Sequence, residues 1–541
     1  MRLAAKTRLA LVAAALAAAC SARAQAPAPG NRANRLEWFR DAGFGLFIHW
    51  SVDGQLGGVI SHSLVGAAPD YLERYFKELP KTFNPRKFHP EDWAALAKLA
   101  GIRYVVFTTK HPSGFCMFPT ATTDFSIAAT PFGRDITGEL VRGFREQGIA
   151  IGFYFSPDDF HFLYRNGRTI ARAPHPGVTP REFPPLFEHD RAQLRELLTR
   201  YGPVDVMFLD GPPEGLRELC WELQPDIVVT RGAIETPEQY VPGVPLGGAW
   251  ESNLTMGTEW PYKSAHETYK SGTQLIETLI ETRAKGGNLL LNVGPKPDGE
   301  LPIEQEERLR EIALWNFSFG EAIGAVRPWV ITNEGNVWYT RSKEGDTVYA
   351  FTTRTPWKLG ETKRFTLKAV RATAQTTVSV LGSTGAVLEY QPDVVPRSKW
   401  RQDDEGLHLE VTMAQRLYTD RKWPDPIAIR ITHAEPGLTP PEVGDPQAEW
   451  DASARTATLR AVVGSLGKAS SVEAGFQYRR KVALYEEPEA WSATALVRLE
   501  RAGPYAIRVP GLEPGRAYEF RAIVRHPLLE MYGRETPFTP R

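Results

Sequence analysis

The chain has 541 residues, 42% of them hydrophobic, which is enough for three or four domains with their own cores. Sixty-four basic residues balance 64 acidic ones, so the composition carries no electrostatic footprint for nucleic acid, and no basic run of the nuclear-targeting type occurs. Aromatic residues make up 11%, including 14 Trp, a supply that suits ring stacking against a ligand.

The N-terminus reads as a secretory signal over residues 1–24. Arg2, Lys6 and Arg8 form a charged start, and residues 9–20 form an apolar run too short to remain as a membrane span. Ala22-Arg23-Ala24 fits a small-x-small cleavage site, which predicts an exported protein, periplasmic or extracellular, with a mature net charge of −4. The rival reading takes Ala17-Ala18-Ala19-Cys20 as a lipid-anchor site at Cys20. No later stretch has 18 consecutive apolar residues, so no transmembrane segment is expected. Cys116 and Cys220 lack zinc-like spacing and read as isolated buried thiols, with a single disulfide as the alternative.

Residues 25–34 are a flexible leader rich in Ala, Pro and Gly. From 35 to 330 short apolar runs alternate with amphipathic stretches. The runs at 44–50, 104–109, 149–156, 204–209, 227–231 and 288–293 are rich in Val, Ile, Phe and Tyr, and nearly continuous, as strands buried on both faces should be. Helices are predicted from Pro90 with its following acids, from Asp135 to Gln147 with a stop at Gly148, and from Glu304 to Phe317. This pattern predicts an α/β fold, a (β/α)8-like barrel; the competing open doubly wound sheet lacks its Gly-rich phosphate fingerprint. The barrel would gather His49, His111, Ser156, Asp210, Arg231, Glu251 and Asn292 at one mouth, because each is read as ending a strand.

Helical patterns disappear after Pro328. Residues 331–435 alternate at strand period and predict an antiparallel β-sandwich. Pro436, Pro440 and Pro441 punctuate a linker, and 441–541 form a third, all-β unit. Its 512–522 stretch, Leu-Glu-Pro-Gly-Arg-Ala-Tyr-Glu-Phe-Arg-Ala, resembles the corner motif of fibronectin type III domains, where a Tyr hydroxyl pins a turn.

Asp210 follows the apolar run 206–209 and precedes Gly211, which leaves backbone room for a ligand; the plainer alternative is a helix cap, which Pro212-Pro213 opposes. Two His at strand ends, His49 and His111, favour ligand contact over two separate structural roles. No compact His pair supports a metal site. Tyr154 is either core or an orienting hydroxyl. Arg231 either orients a carboxylate or closes a salt bridge. Trp250-Glu251 is either a sugar-stacking face beside a proton donor or a core Trp beside a solvated acid, and Glu259-Trp260 repeats the pair in reverse.

Together these segments resemble the α-L-fucosidases of glycoside hydrolase family 29. The likeness rests on Phe47-Ile48-His49-Trp50, on Thr109-Lys110-His111-Pro112-Ser113-Gly114-Phe115, on Arg134-Asp135-Ile136, on Phe208-Leu209-Asp210-Gly211, and on the long stretch 286–295, Gly-Gly-Asn-Leu-Leu-Leu-Asn-Val-Gly-Pro. It covers about residues 35–330 and, in architecture, the following sandwich, but not the C-terminal unit. The resemblance implies a retaining exo-α-L-fucosidase acting on a fucosylated oligosaccharide or glycoconjugate, with no cofactor and no metal. It implies Asp210 as nucleophile and Glu251 as acid/base, with Glu259 as alternative. His49, Trp50, His111, Tyr154, Arg231 and Trp250 are the implied substrate contacts. The family's second His after Lys is Pro112 here, its usual Asp is Ser113, its Gly after the first motif is Ser51, and its Trp two residues before the nucleophile is Phe208. Its Glu-Trp pair between the first two motifs is replaced by Ser61-His62-Ser63. These departures leave a related sugar such as L-galactose as an alternative substrate, and a non-catalytic carbohydrate-binding relative as an alternative function; the surviving carboxylates argue against the latter.

Overall fold

A computed structural model describes residues 30–57, 60–61, 64–383, 387–388, 391–414, 425–482 and 489–541. The signal segment, Cys20, most of the leader, His62 and Ser63 lie outside the described residues. No helix among the described residues is long and apolar enough to cross a membrane.

Residues 33–320 build a curled parallel sheet with helices around it. Strands β1 (Phe44–Ile48), β2 (Tyr104–Lys110), β3 (Ala150–Phe155), β4 (Val206–Leu209), β5 (Val228–Val229), β6 (Glu251–Thr255) and β7 (Asn288–Val293) pair in the order β5-β4-β3-β2-β1-β7-β6. All pairs are parallel. Among the described residues the sheet has no eighth regular strand. Instead the chain leaves β5, turns, and runs beside β6 as an irregular segment: the amides of Glu251, Asn253 and Gln239 bond to the carbonyls of Glu235, Pro237 and Asn253 at 2.9–3.1 Å. Pro237 and Pro242 remove amide donors from this stretch, which keeps it from forming a regular strand.

The helices follow their sequence signals. Helix α1 (Ala33–Ala42) precedes β1, α2 (Pro69–Thr82) and α3 (Pro90–Leu99) precede β2, and α4 (Ile136–Glu146) precedes β3. Pro90 takes the first turn of α3, and Asp135 caps α4 by accepting the Gly138 amide at 2.9 Å. Helices α5 (Phe160–Arg165) and α6 (Pro184–Arg200) follow β3, α7 (Leu216–Leu223) follows β4, α8 (Gly272–Ala284) precedes β7, and α9 (Ile303–Phe319) closes the unit. Cys116 and Cys220 are both buried free thiols.

The antiparallel region begins at Val326, a little earlier than the change of texture suggests, and carries a five-stranded and a three-stranded sheet. It shares one hydrophobic core with the barrel. Trp315 of α9 stacks near Phe351, and its indole N–H donates to the Pro426 carbonyl at 2.7 Å. The C-terminal strands form two further antiparallel sheets around a separate core that includes Leu459, Phe476 and Phe520.

Candidate active site

The C-terminal ends of the parallel strands converge on one polar cluster. His49 follows β1, His111 follows β2, Tyr154 is the penultimate residue of β3, Asp210 follows β4, Arg231 lies just past β5, and Asn292 is penultimate in β7. Asp210 is the hub. Its Oδ2 accepts the Tyr154 hydroxyl at 2.7 Å, and its Oδ1 accepts Arg231 Nη1 at 2.9 Å. A second guanidinium, Arg172, stands 3.9 Å away and is anchored to Asp158 at 2.7 Å. Burial raises the Asp210 carboxyl, but Arg231, Tyr154 and Arg172 outweigh it and hold the group below its usual value. Asp210 is therefore a charged, oriented carboxylate that remains one-fifth exposed to the mouth.

Arg231 holds two acids. Its Nη2 contacts Glu238 Oε2 at 2.8 Å while Nη1 holds Asp210. Thr236 fixes the same guanidinium through its hydroxyl and carbonyl, and the Phe208 ring lies 4.7 Å beneath it. Glu238 sits on the irregular 235–239 segment, with over a quarter of its side chain exposed.

Aromatic rings form the walls. His111 stacks on Tyr154 (5.4 Å, 8°), and Tyr154 stacks on Phe208 (5.6 Å). The His49 ring lies 4.9 Å from Trp260 and 5.9 Å from His111. Asn292 fixes His49 through Nδ1 at 2.7 Å and donates to the Trp260 carbonyl at 2.6 Å. Burial lowers His49 to about 4, against the pull of Asn292 and Asp210, so its ring is neutral at ordinary pH. His111 is oriented from behind by Ser61, whose hydroxyl contacts Nδ1 at 2.8 Å and accepts the Ser113 amide at 2.9 Å. Ser61 in turn donates its own amide to Asp53, which also accepts the Tyr75 hydroxyl.

Four of the expected site residues are placed elsewhere. Glu251 does not end a strand. It opens β6 at the far end of the sheet, fully buried, and accepts the Tyr104 hydroxyl from the first residue of β2. Burial raises it to about 7, and its Oε1 has no protein partner. Trp250 precedes it there, packed against the Cα of Gly287, where any side chain would collide with the indole. Trp50 points away from the mouth into a cluster with Phe83, Phe88 and Trp93, at 5.4–5.8 Å. Glu259 is half-buried and, among the described residues, joins neither Asp210 nor Arg231. Its neighbour Trp260 is the tryptophan that reaches the pocket. Sequence reasoning also missed Glu238 and Arg172, both on stretches without periodicity. The one available signal was an acid seven residues after Arg231, in the sequence Thr236-Pro237-Glu238.

The fold that carries this cluster is similar to those of solved proteins. α-L-fucosidase isoenzyme 1 from Paenibacillus thiaminolyticus matches with a TM-score of 0.59 and 26% identity, over 74% of this chain and 99% of that one. The Thermotoga maritima α-fucosidase matches with a TM-score of 0.57 and 25% identity, over 73% and 96%. The class is therefore that of the glycoside hydrolases. The mouse tissue α-L-fucosidase is 30% identical over 399 residues, 64% of this chain and 83% of the mouse protein. A family model described as Alpha-L-fucosidase matches residues 12–321, more than half the chain, and the chain belongs to that family.

Proposed function

We propose that the protein is a retaining exo-α-L-fucosidase in which Asp210 attacks the anomeric carbon and Glu238 serves as acid/base. One observation carries this reading: Asp210 and Glu238 occupy the two terminal nitrogens of a single guanidinium, at 2.9 and 2.8 Å. So close a pairing favours the carboxyl separation of about 5–5.5 Å used for retention over the wider gap that admits a water for inversion. In this reading Glu238 gives a proton to the leaving oxygen in the first step and, once Asp210 is bonded to the sugar, takes one from the attacking water in the second. His49, His111, Tyr154 and Trp260 form the sugar-binding wall, with the neutral His49 ring able to donate and accept.

The same reading makes the substrate a terminal α-L-fucose on a glycan outside the cytoplasm, consistent with the charged and apolar N-terminal run ending at Ala22-Arg23-Ala24. We read 35–330 as the catalytic barrel, 331–435 as the sandwich and 441–541 as a fibronectin type III-like unit. The Glu513 amide donating to the Tyr518 hydroxyl at 3.1 Å supports a tyrosine corner there. The test of mechanism is the anomer released first. Proton NMR of a fresh reaction should show α-fucose ahead of mutarotation; β-fucose appearing first would overturn retention.

A further inference from the structure

Glu238 lies on a stretch, 230–248, that contains no regular element among the described residues. A proton donor needs a fixed position, and the walls of a barrel normally supply it through the strand ladder. Here the inner side of the segment is tied to β6 and to Arg231. Its outer side is tied to the C-terminal β unit. Arg534 pairs with Glu235 at 3.2 Å, three residues before Glu238. Glu535 Oε2 accepts the Gly243 amide at 2.9 Å, five residues after it. The approach to Gly243 is so close that a Cβ added there would lie 1.8 Å from Glu535 Oε1. Glu535 is itself held by Arg521 at 3.1 Å, and Arg521 is stacked 4.0 Å over Tyr532 and 4.3 Å over Trp491. From the barrel side, Lys285, just past the end of α8, donates to the Pro242 carbonyl at 2.6 Å.

The family match ends at residue 321, and the two solved relatives described above are matched over 96–99% of their own length yet account for only 73–74% of this chain. Residues 521–535, which make the clamp, lie outside the stretch that the family model matches.

We propose that the C-terminal β unit is a positioning element of the active site: through Arg534 and Glu535 it grips both sides of the 235–243 segment and fixes Glu238 against Arg231. Arg534 and Glu535 bond to Glu235 and the Gly243 amide, on either side of Glu238, so their role in this proposal runs through the segment that carries it. The proposal rests on the reading of Glu238 as acid/base, and the experiment separates the two. In the full-length chain, Arg534→Ala/Glu535→Ala, Glu535→Gln and Glu238→Gln are compared with the parent on 4-nitrophenyl α-L-fucoside and on an α-L-fucosyl disaccharide. The nitrophenolate leaves without help, whereas the sugar alkoxide needs the proton. The double variant should lose kcat/KM on the disaccharide by about tenfold or more while kcat/KM on the nitrophenyl substrate changes little, because kcat/KM reports the proton-assisted first step and not the hydrolysis step common to both substrates. Glu535→Gln, which keeps an acceptor for the Gly243 amide, should restore most of the disaccharide rate. Equal losses on both substrates would show a general loss of structure and overturn the proposal, as would no loss on either. If Glu238→Gln shows the leaving-group dependence and the clamp variants do not, the clamp fails alone. If Glu238→Gln shows none, the acid/base reading fails first and takes the clamp with it.

Discussion

The two ends of the barrel hold buried carboxylates with opposite fates. At the mouth, Asp210 has two guanidiniums within 3.9 Å and a tyrosine hydroxyl at 2.7 Å, and stays charged. At the floor, Glu251 is fully buried with one tyrosine hydroxyl and no cation in bonding contact, and burial pushes it to about 7. Both acids lie next to strands, and both have large aromatic neighbours. What separates them is which end of a parallel strand they occupy. Loops at the carboxyl ends bring arginines, and the amino ends are sealed by packing.

Removing the mouth carboxylate should have the largest effect. Asp210→Asn keeps the shape and the Tyr154 contact but removes the proposed nucleophile, and kcat should fall by about 10⁴- to 10⁶-fold, judged from losses when a catalytic nucleophile is removed. A steady-state assay on 4-nitrophenyl α-L-fucoside measures it. A variant retaining a tenth of the parent rate would remove Asp210 from the mechanism.

Glu238→Gln comes next. A missing general acid costs about 10²- to 10⁴-fold in kcat/KM where the leaving group needs a proton and far less where it does not, while kcat on the nitrophenyl substrate falls because the same residue is missing as base in the hydrolysis step. External azide, which needs no general base, should restore turnover of the nitrophenyl substrate and yield a fucosyl azide. If azide had no effect, the base role of Glu238 would be lost.

The residues that reached the mouth as expected share one trait: each closes or nearly closes an apolar run. His49, His111, Tyr154, Asp210 and Arg231 could be read because the run before each of them marks a strand, and a parallel strand has a fixed direction. The misplacements have the same cause. Strand β6 reads Glu-Ser-Asn-Leu-Thr and has no apolar run, so Glu251 looked like an end when it is a beginning. Trp50 follows a strand buried on both faces, and periodicity cannot say which face its ring takes. Glu238 and Arg172 are positioned by long-range contacts with Arg231, Asp158 and Asp210, which no local pattern encodes. The eighth wall of the barrel was illegible for the same reason: its prolines spoil a ladder that only the bridges to β6 complete.

The smallest effect concerns stability and sharpens the contrast between the two ends. Glu251 is raised from 4.5 to about 7 on folding, so its stabilising contribution is complete below about pH 4.5 and is lost as pH rises toward 7. His49 is lowered from 6.5 to about 4, so its contribution is complete above about pH 6.5 and is lost as pH falls toward 4. Each swing is of the order of 3 kcal/mol, and between about pH 4.5 and 6.5 the two run in opposite directions and largely cancel. Glu251→Gln removes one of them. The variant should keep near-normal activity on both fucosides, because the floor takes no part in the chemistry. Its Tm, measured beside the parent's across pH 4 to 7, should fall more steeply than the parent's as the solution is acidified. An unchanged profile would mean that Glu251 titrates alike in the folded and unfolded chain, and the floor would then not be the sealed environment that sets it apart from the mouth.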